Sequence, residues 1–252
     1  MSGPTKPSSE SAIIATLGTP VQEISKPDRW IHKFGDHGTV DGTTSTDLWP
    51  LGTTSNADQW YVPAGGVLTV VSTNASDTGL LTVQGILLSG DESTVTVTMT
   101  GTTPVVVPGT WKCVYRMGYN GGLLASEPLG IVTALIGAVV VATIIMGDGQ
   151  TFQCFFVIPA GFTGYLHTAE CESGKNDEME VRLLTANSDT HSWQSKHKFR
   201  IYEGYSDKHW AEHDDPRDGG LVLVAGALIK MTATRVAGTR CSASFDIALY
   251  EI

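Results

Sequence analysis

The residues best equipped for chemistry lie between positions 207 and 218, in the run Asp207-Lys208-His209-Trp210-Ala211-Glu212-His213-Asp214-Asp215-Pro216-Arg217-Asp218. His209 and His213 stand four apart, a spacing that would place two imidazoles on one face of a helical turn. A zinc peptidase of the H-E-x-x-H type needs its glutamate directly after the first histidine, as general base. Trp210 occupies that place. Asp214, Asp215 and Asp218 offer hard oxygen ligands, but their spacing is not that of an EF-hand loop. The plainer expectation is a solvated loop, with one helical turn stopped by Pro216. His191 and His197 lie just upstream and are expected to be surface residues.

Other catalytic signatures are missing. The chain has no G-x-S-x-G elbow, no Walker A loop and no G-x-G-x-x-G after a strand. Gly118-Tyr119-Asn120-Gly121-Gly122 is expected to be a turn and not a phosphate cradle, because no helix carrying Lys-Ser/Thr follows it. Cys113, Cys154, Cys171 and Cys241 are dispersed, with no close pair to hold zinc. They read as buried small hydrophobes of a protein made in a reducing cytoplasm. No catalytic, cofactor-binding or metal-binding residue is assigned, and the chain is not expected to be an enzyme.

The elements that would carry any site are strands. Hydrophobic residues make up 41% of the 252 positions and charged residues 17%, the latter below the roughly 25% usual for globular chains. Thr, Ser and 28 Gly make up the difference. Alternation with β-branched residues marks 67–71, 79–85, 93–99, 111–117, 178–184, 198–202, 221–235 and 242–250 as strands. A further strand covers 151–158. The run 100–108 reads as a sheet edge limited by Pro104 and Pro108. Ser89-Gly90-Asp91-Glu92 is a hairpin turn, and Val236 to Arg240 closes a last hairpin.

Leu129 to Met146 is uncharged and nearly long enough to span a bilayer. It is rich in Val, Ile and Thr, interrupted by Gly130 and Gly137, and lacks basic flanks. It therefore reads as two buried strands joined near Gly137. The start of the chain has no apolar signal-peptide core.

Residues 1–28 are rich in Ser, Thr and Pro and form an extended arm, with Ile13, Ile14 and Leu17 as an apolar anchor. From Asp28 to Pro63 the sequence is dense in turn residues, among which sit Trp30, Phe34, Trp49, Trp60 and Tyr61. These rings either cap the ends of the sheets, the plainer reading, or meet another subunit. Trp30, Trp49 and Trp60 are the candidate partner-binding residues. The turns Pro63-Ala64-Gly65 and Pro159-Ala160-Gly161 lie 96 residues apart and suggest two related modules, 29–146 and 147–252, behind the arm. The expected fold is all-β, an antiparallel β-sandwich or jelly roll. A net charge of −10 argues against nucleic acid as the main partner.

Two passages carry a resemblance. Lys33-Phe34-Gly35, followed by Thr44-x-x-Asp47-Leu48-Trp49, resembles the opening of a group of tailed-phage virion proteins. The same group shows counterparts of Ser72 with Ser76-Asp77-Thr78-Gly79, of Thr82-Val83-Gln84-Gly85, of Gly101-Thr102-Thr103-Pro104-Val105, and of Ile158-Pro159-Ala160-Gly161 with Tyr165-Leu166. The likeness spans roughly residues 30 to 250. It departs at Phe162, where the group tends to carry Lys, and in the acidic, His-bearing stretch 175–220.

The resemblance implies a non-enzymatic β-sandwich component of the virion, assembled in the host bacterial cytoplasm. The expected function is a capsid decoration (cement) protein that binds the shell as a homo-oligomer, a trimer being favoured. Its partners would be itself and the major capsid protein or another virion protein, with neither nucleic acid nor membrane. Alternatives are a neck, collar or tail component, and a carbohydrate-binding attachment module using Trp193, Trp210 and Tyr205.

Overall fold

The computed structural model describes residues 27–40, 45–49, 60–120, 127–174, 179–188, 192–201, 205–209, 221–235 and 239–252. Among these residues there are only strands, turns and irregular segments, and every pairing between strands is antiparallel. The strands in chain order are β1 Arg29–Val40, β2 Thr46–Asp47, β3 Tyr61–Ser72, β4 Leu80–Leu87, β5 Glu92–Thr98, β6 Val105–Asn120, β7 Val132–Ile136 and β8 Val139–Ile144. They continue as β9 Phe155–Val157, β10 Phe162–Ser173, β11 Met179–Asn187, β12 Gln194–Ile201, β13 Tyr205–His209, β14 Leu221–Leu223, β15 Ala227–Arg235 and β16 Thr239–Glu251.

Three sheets result. The first runs β1-β16-β10-β13, with β14 also on β10; the second runs β12-β11-β15-β2, with β9 also on β15; the third runs β5-β4-β6-β3-β7-β8. The first two face each other as a sandwich, sharing one core that includes Phe245, Ile247 and Leu249 of β16 and Val181, Leu183 and Met231 of β11 and β15. The third sheet curls until β8 packs on β6, and encloses its own core around Trp111, Leu68, Leu81, Met117 and Val141. Period-two burial produces this directly: in β3, Leu68, Val70 and Ser72 are buried while Val67, Thr69 and Val71 are more exposed.

The uncharged run 129–146 is β7 and β8 joined at Gly137, whose φ is +61°. No helix among the described residues is long and apolar enough to cross a membrane. The Ser89–Glu92 turn joins β4 to β5. Both Pro-Ala-Gly segments place their glycine in the left-handed region, with φ +63° at Gly65 and +79° at Gly161.

Several expectations are corrected. Residues 29–40 form a long strand and not a turn-rich segment, because β16 offers them a full ladder from Arg29↔Leu249 to Val40↔Thr239. The run from 105 is, as expected, open on one side, since Val105 to Val107 pair with β3 alone and β4 joins β6 only from Trp111; the strand itself continues past Pro108 across a register shift. Of 151–158 only β9 is strand, since Thr151 to Cys154 crosses between sheets. Residues 221–235 break at Gly226 into strands of two different sheets. Residues 236–238 lie outside the described residues, but the strands expected to form a hairpin around them, β15 and β16, do not pair, because β15 already has β11 on one side and β2 and β9 on the other. Gly118 to Asn120 likewise lie within β6.

Sheet membership also crosses the 29–146 and 147–252 division. β1 pairs with β16 and β2 with β15, so the second half is closed by the first fifty residues of the chain.

A tight crossing lies at Gly35. A Cβ there would sit 2.3 Å from the Leu48 carbonyl oxygen and 2.4 Å from the Cys154 nitrogen. At Gly38, on the same strand, a Cβ would meet nothing within 4 Å. Gly35→Ala should therefore destabilise by about 3 kcal/mol or more, whereas Gly38→Ala should change stability by less than about 1 kcal/mol. Urea unfolding midpoints of the two variants check this.

Candidate partner-binding surface

β1 sorts its side chains by alternation. Trp30, His32 and Phe34 are exposed, while Lys33, Gly35 and His37 are buried. Trp30 is 51% and Phe34 38% exposed, so these two rings stand on the outer face of the first sheet. Trp30 packs edge-on against His167, with centroids 5.4 Å apart, and Phe34 against Phe152 at 5.7 Å. Between them, His32 Nδ1 lies 2.6 Å from Asp246 Oδ1, and Thr168 Oγ1 donates to Asp246 Oδ2 at 2.7 Å. Shallow hollows flank Phe34 on both sides. One is lined by Glu170, Glu172 and Ser242 to Ser244, the other by Trp30, Arg116 and Gln150 to Phe152.

The other two candidate tryptophans are placed differently. Trp49 is 4% and Trp60 2% exposed, and they stack edge-on with each other and then with Phe155, at 5.4 and 5.1 Å. They fill the core of the chain instead of its surface. Ile13, Ile14 and Leu17 lie outside the described residues.

Beneath these rings lies an ion pair shut away from water. Lys230 Nζ approaches Asp47 Oδ1 at 2.8 Å, their side chains 2% and 5% exposed. The ammonium also sits 4.5 Å from the centroid of Trp193 and 5.8 Å from that of Trp60. Burial raises the Asp47 pKa above the ordinary carboxylate value, and Lys230 opposes that rise. Backbone bonds lock the surroundings: Leu48 N–H donates to Met231 O at 3.3 Å, Cys154 N–H to Leu48 O at 3.0 Å and Met231 N–H to Cys154 O at 3.2 Å. Trp193, which is half-buried, thus packs its ring on the Lys230 ammonium.

A second buried carboxylate also serves the fold. Asp77, 1% exposed, accepts bonds from Ser72 Oγ, from Leu129 N–H at 2.8 Å and from Gly130 N–H at 3.0 Å. Its own carbonyl accepts from Gly101 N–H at 2.9 Å. Gly101, at φ +67°, passes so close that a Cβ would lie 2.4 Å from Ala75 O.

Lys33 is 6% exposed and has no carboxylate partner among the described residues. Its Nζ donates to Tyr115 O and lies 5.5 Å from the Tyr115 ring centroid. Burial, with the Arg116 charge adding to it against Cys154 and Cys113, brings its pKa down to about 7. The thiols are held in the neutral form. Burial pushes Cys113 and Cys241 up to about 12 and Cys154 up as well, so none is an activated nucleophile.

No three His, Cys, Asp or Glu side chains cluster as metal ligands among the described residues. Asp207, Lys208 and His209 belong to strand β13, where His209 is opposite Thr168. The helical turn expected around His209 is therefore not present at that residue. Trp210, His213, Asp214, Asp215, Asp218 and His191 lie outside the described residues.

No family model and no curated protein matches the chain. Among solved structures, the VP2 subviral particle of infectious bursal disease virus is similar at 10% identity, covering 96% of this chain and 77% of that one, with a TM-score of 0.21. The Gx strain of the same virus gives 8% identity over 90% of this chain and 78% of that one, with a TM-score of 0.18.

The buried pair makes a first prediction. Asp47→Leu or Lys230→Met alone strands an unpaired charge and should cost about 3–5 kcal/mol, whereas the double variant should recover most of that loss. A double-mutant cycle in chemical denaturation measures it; additive losses would contradict it.

The pH dependence of stability follows from Lys33 and the thiols. Above about pH 7 the native Lys33 is neutral while the unfolded one stays protonated up to its ordinary value of 10.5, so stability should rise with pH. Above about pH 9 unfolded thiols lose protons that the native thiols keep, so stability should then fall. Unfolding free energies across pH 6–11 test the maximum, and Lys33→Met should flatten its rising limb alone.

Proposed function

We propose that the chain is a structural protein of a bacteriophage particle, a capsid decoration protein that binds the shell as a homo-oligomer, a trimer being the favoured state. The observation that carries this reading is the exposed pair Trp30 and Phe34 on β1, at the edge of the first sheet. Large exposed rings on a β surface suit a protein contact, since aromatic anchors supply most of the binding energy at such interfaces. An edge strand also offers main-chain groups for pairing with a neighbour. The ordered motifs from Lys33 to Leu166 supply the resemblance to phage virion proteins. Their buried members, Lys33, Gly35, Asp47 and Asp77, hold the fold together, which suits a shared scaffold with variable surfaces.

Residues 1–28 are proposed as the arm that extends the contact, with Ile13, Ile14 and Leu17 as its anchor, and 29–146 and 147–252 as two modules, the first of which lends β1 and β2 to the sheets of the second.

Reconstruction of purified particles tests the reading. Hundreds of copies on the shell are expected; a dozen or fewer at one vertex would place the protein in the neck or tail, and absence would overturn the proposal. Within the same assay, Trp30→Ala with Phe34→Ala should weaken particle binding at least tenfold, and deletion of residues 1–26 should abolish it. Both variants should keep the melting temperature of the free protein within a few degrees.

A further inference from the structure

A free sheet edge invites pairing with another chain, and proteins restrict it with charge, short length or cover. Among the described residues, most edges carry such a device. β1 holds Arg29, His32, Lys33 and Asp36, β12 holds Lys196, Lys198 and Arg200, and β13 holds Asp207, Lys208 and His209, so each admits only a matching partner. β2, β9 and β14 are strands of three residues or fewer, and β8 is folded back on β6. β5 differs. It is the outer strand of the third sheet, and Ser93 to Thr98 (Ser-Thr-Val-Thr-Val-Thr) has no charge, no proline and no register shift against β4.

The ladder with β4 shows which groups of β5 are left over. Met99 N–H donates to Gly79 O and Leu87 N–H to Asp91 O, both at 2.9 Å, at the two ends of the register that runs from Leu80↔Thr98 to Ile86↔Glu92. Bonded and non-bonded pairs alternate along an antiparallel ladder. Ser93, Val95 and Val97 therefore turn their main-chain groups to β4, and Thr94, Thr96 and Thr98 turn theirs outward. The side chains divide in the same way. Val95 and Val97 are partly buried against the core of the third sheet, while Thr94, Thr96 and Thr98 are exposed. Thr96 Oγ1 already meets Thr82 Oγ1 of β4 at 3.0 Å, a cross-strand hydroxyl contact that a further strand could continue.

We propose that β5 pairs antiparallel with β5 of a second copy, about a two-fold axis at Thr96, so that two six-stranded sheets become one. This register sets Thr96 opposite Thr96, Thr94 opposite Thr98 and Val95 opposite Val97. Every outward N–H and C=O then meets an outward group of the other copy, and valines stay on one face and threonines on the other. A second copy fits better than an unrelated chain because the strand is complementary to itself, as a two-fold contact requires. Two chains of net charge −10 also meet here without opposing like charges, since Glu92 at the strand's end is bonded to Arg29 and Tyr115. The contact lies on a different sheet from Trp30 and Phe34 and does not rest on the virion reading; with a trimer built through other surfaces, it would join two trimers.

Sedimentation equilibrium of the full chain, with main-chain hydrogen exchange, tests the contact. The wild type should have a mass that is an even multiple of the chain. Thr96→Pro, which removes an outward N–H at an edge position where proline is tolerated, should halve that mass. Thr94→Lys with Thr98→Lys, which sets like charges opposite each other, should do the same. In this lysine variant the Thr96 amide should exchange about tenfold faster or more than in the wild type. The Val95 amide, bonded to β4, should stay slow, which shows that the strand itself is intact. A single-chain mass, a mass that neither variant changes, or a Thr96 amide equally fast in the wild type overturns the contact. A trimer overturns it too, and leaves the virion reading standing.

Discussion

Burying an ammonium group in an all-β core constrains everything around it. Lys230 can lie there only because Asp47 meets it at 2.8 Å and the faces of Trp60 and Trp193 take the rest of its surface. That demand fixes β2, a strand of two residues, against β15, and so brings the first fifty residues onto the second half of the chain. Once Leu48 and Cys154 are bonded across the same point, β1 has to pass beside them, and only a residue without a side chain fits at position 35. The Lys-Phe-Gly and Asp-Leu-Trp motifs, a dozen residues apart in sequence, are thus two sides of one crossing.

This gives the motif residues a common meaning. Asp77 ties the end of β3 to the entrance of β7, and Gly101 packs into the same turn. Gly85 marks the register shift between β4 and β6. Each is a residue whose substitution would break a close backbone approach or expose buried donors, and none lines an opening where a substrate could sit. A group of proteins sharing these residues would share a scaffold, while the exposed rings of β1 and the acidic loops remain free to differ.

Much of the fold was legible in the sequence because half-buried strands announce themselves by alternation, as in β3, β4, β5 and β11. The uncharged run 129–146 was also readable as two strands, from its glycine and its β-branched residues. β1 was not readable, for a physical reason: its inward positions include Lys33, Gly35 and His37, which look solvent-facing by type and are buried by tertiary demands. Sheet membership was equally hidden. Nothing in the residues around 236–240 distinguishes a hairpin from a crossing between sheets; that depends on whether β15 has an edge left to offer. Of the candidate contacts, Trp30 is displayed, while Trp60 is enclosed beside the buried lysine and Trp49 packs on Trp60.

The pairing of β1 with β16 also bears on how the protein is made. The third sheet draws all its strands from residues 61–144 and can close while the ribosome is still working. β1 pairs, among the described strands, only with β16, which is made long after it, and such distant pairings form slowly. Trp30 and Phe34 are therefore set on a finished sheet only once β16 is in place, and a product terminated before β16 would lack the face on which they stand.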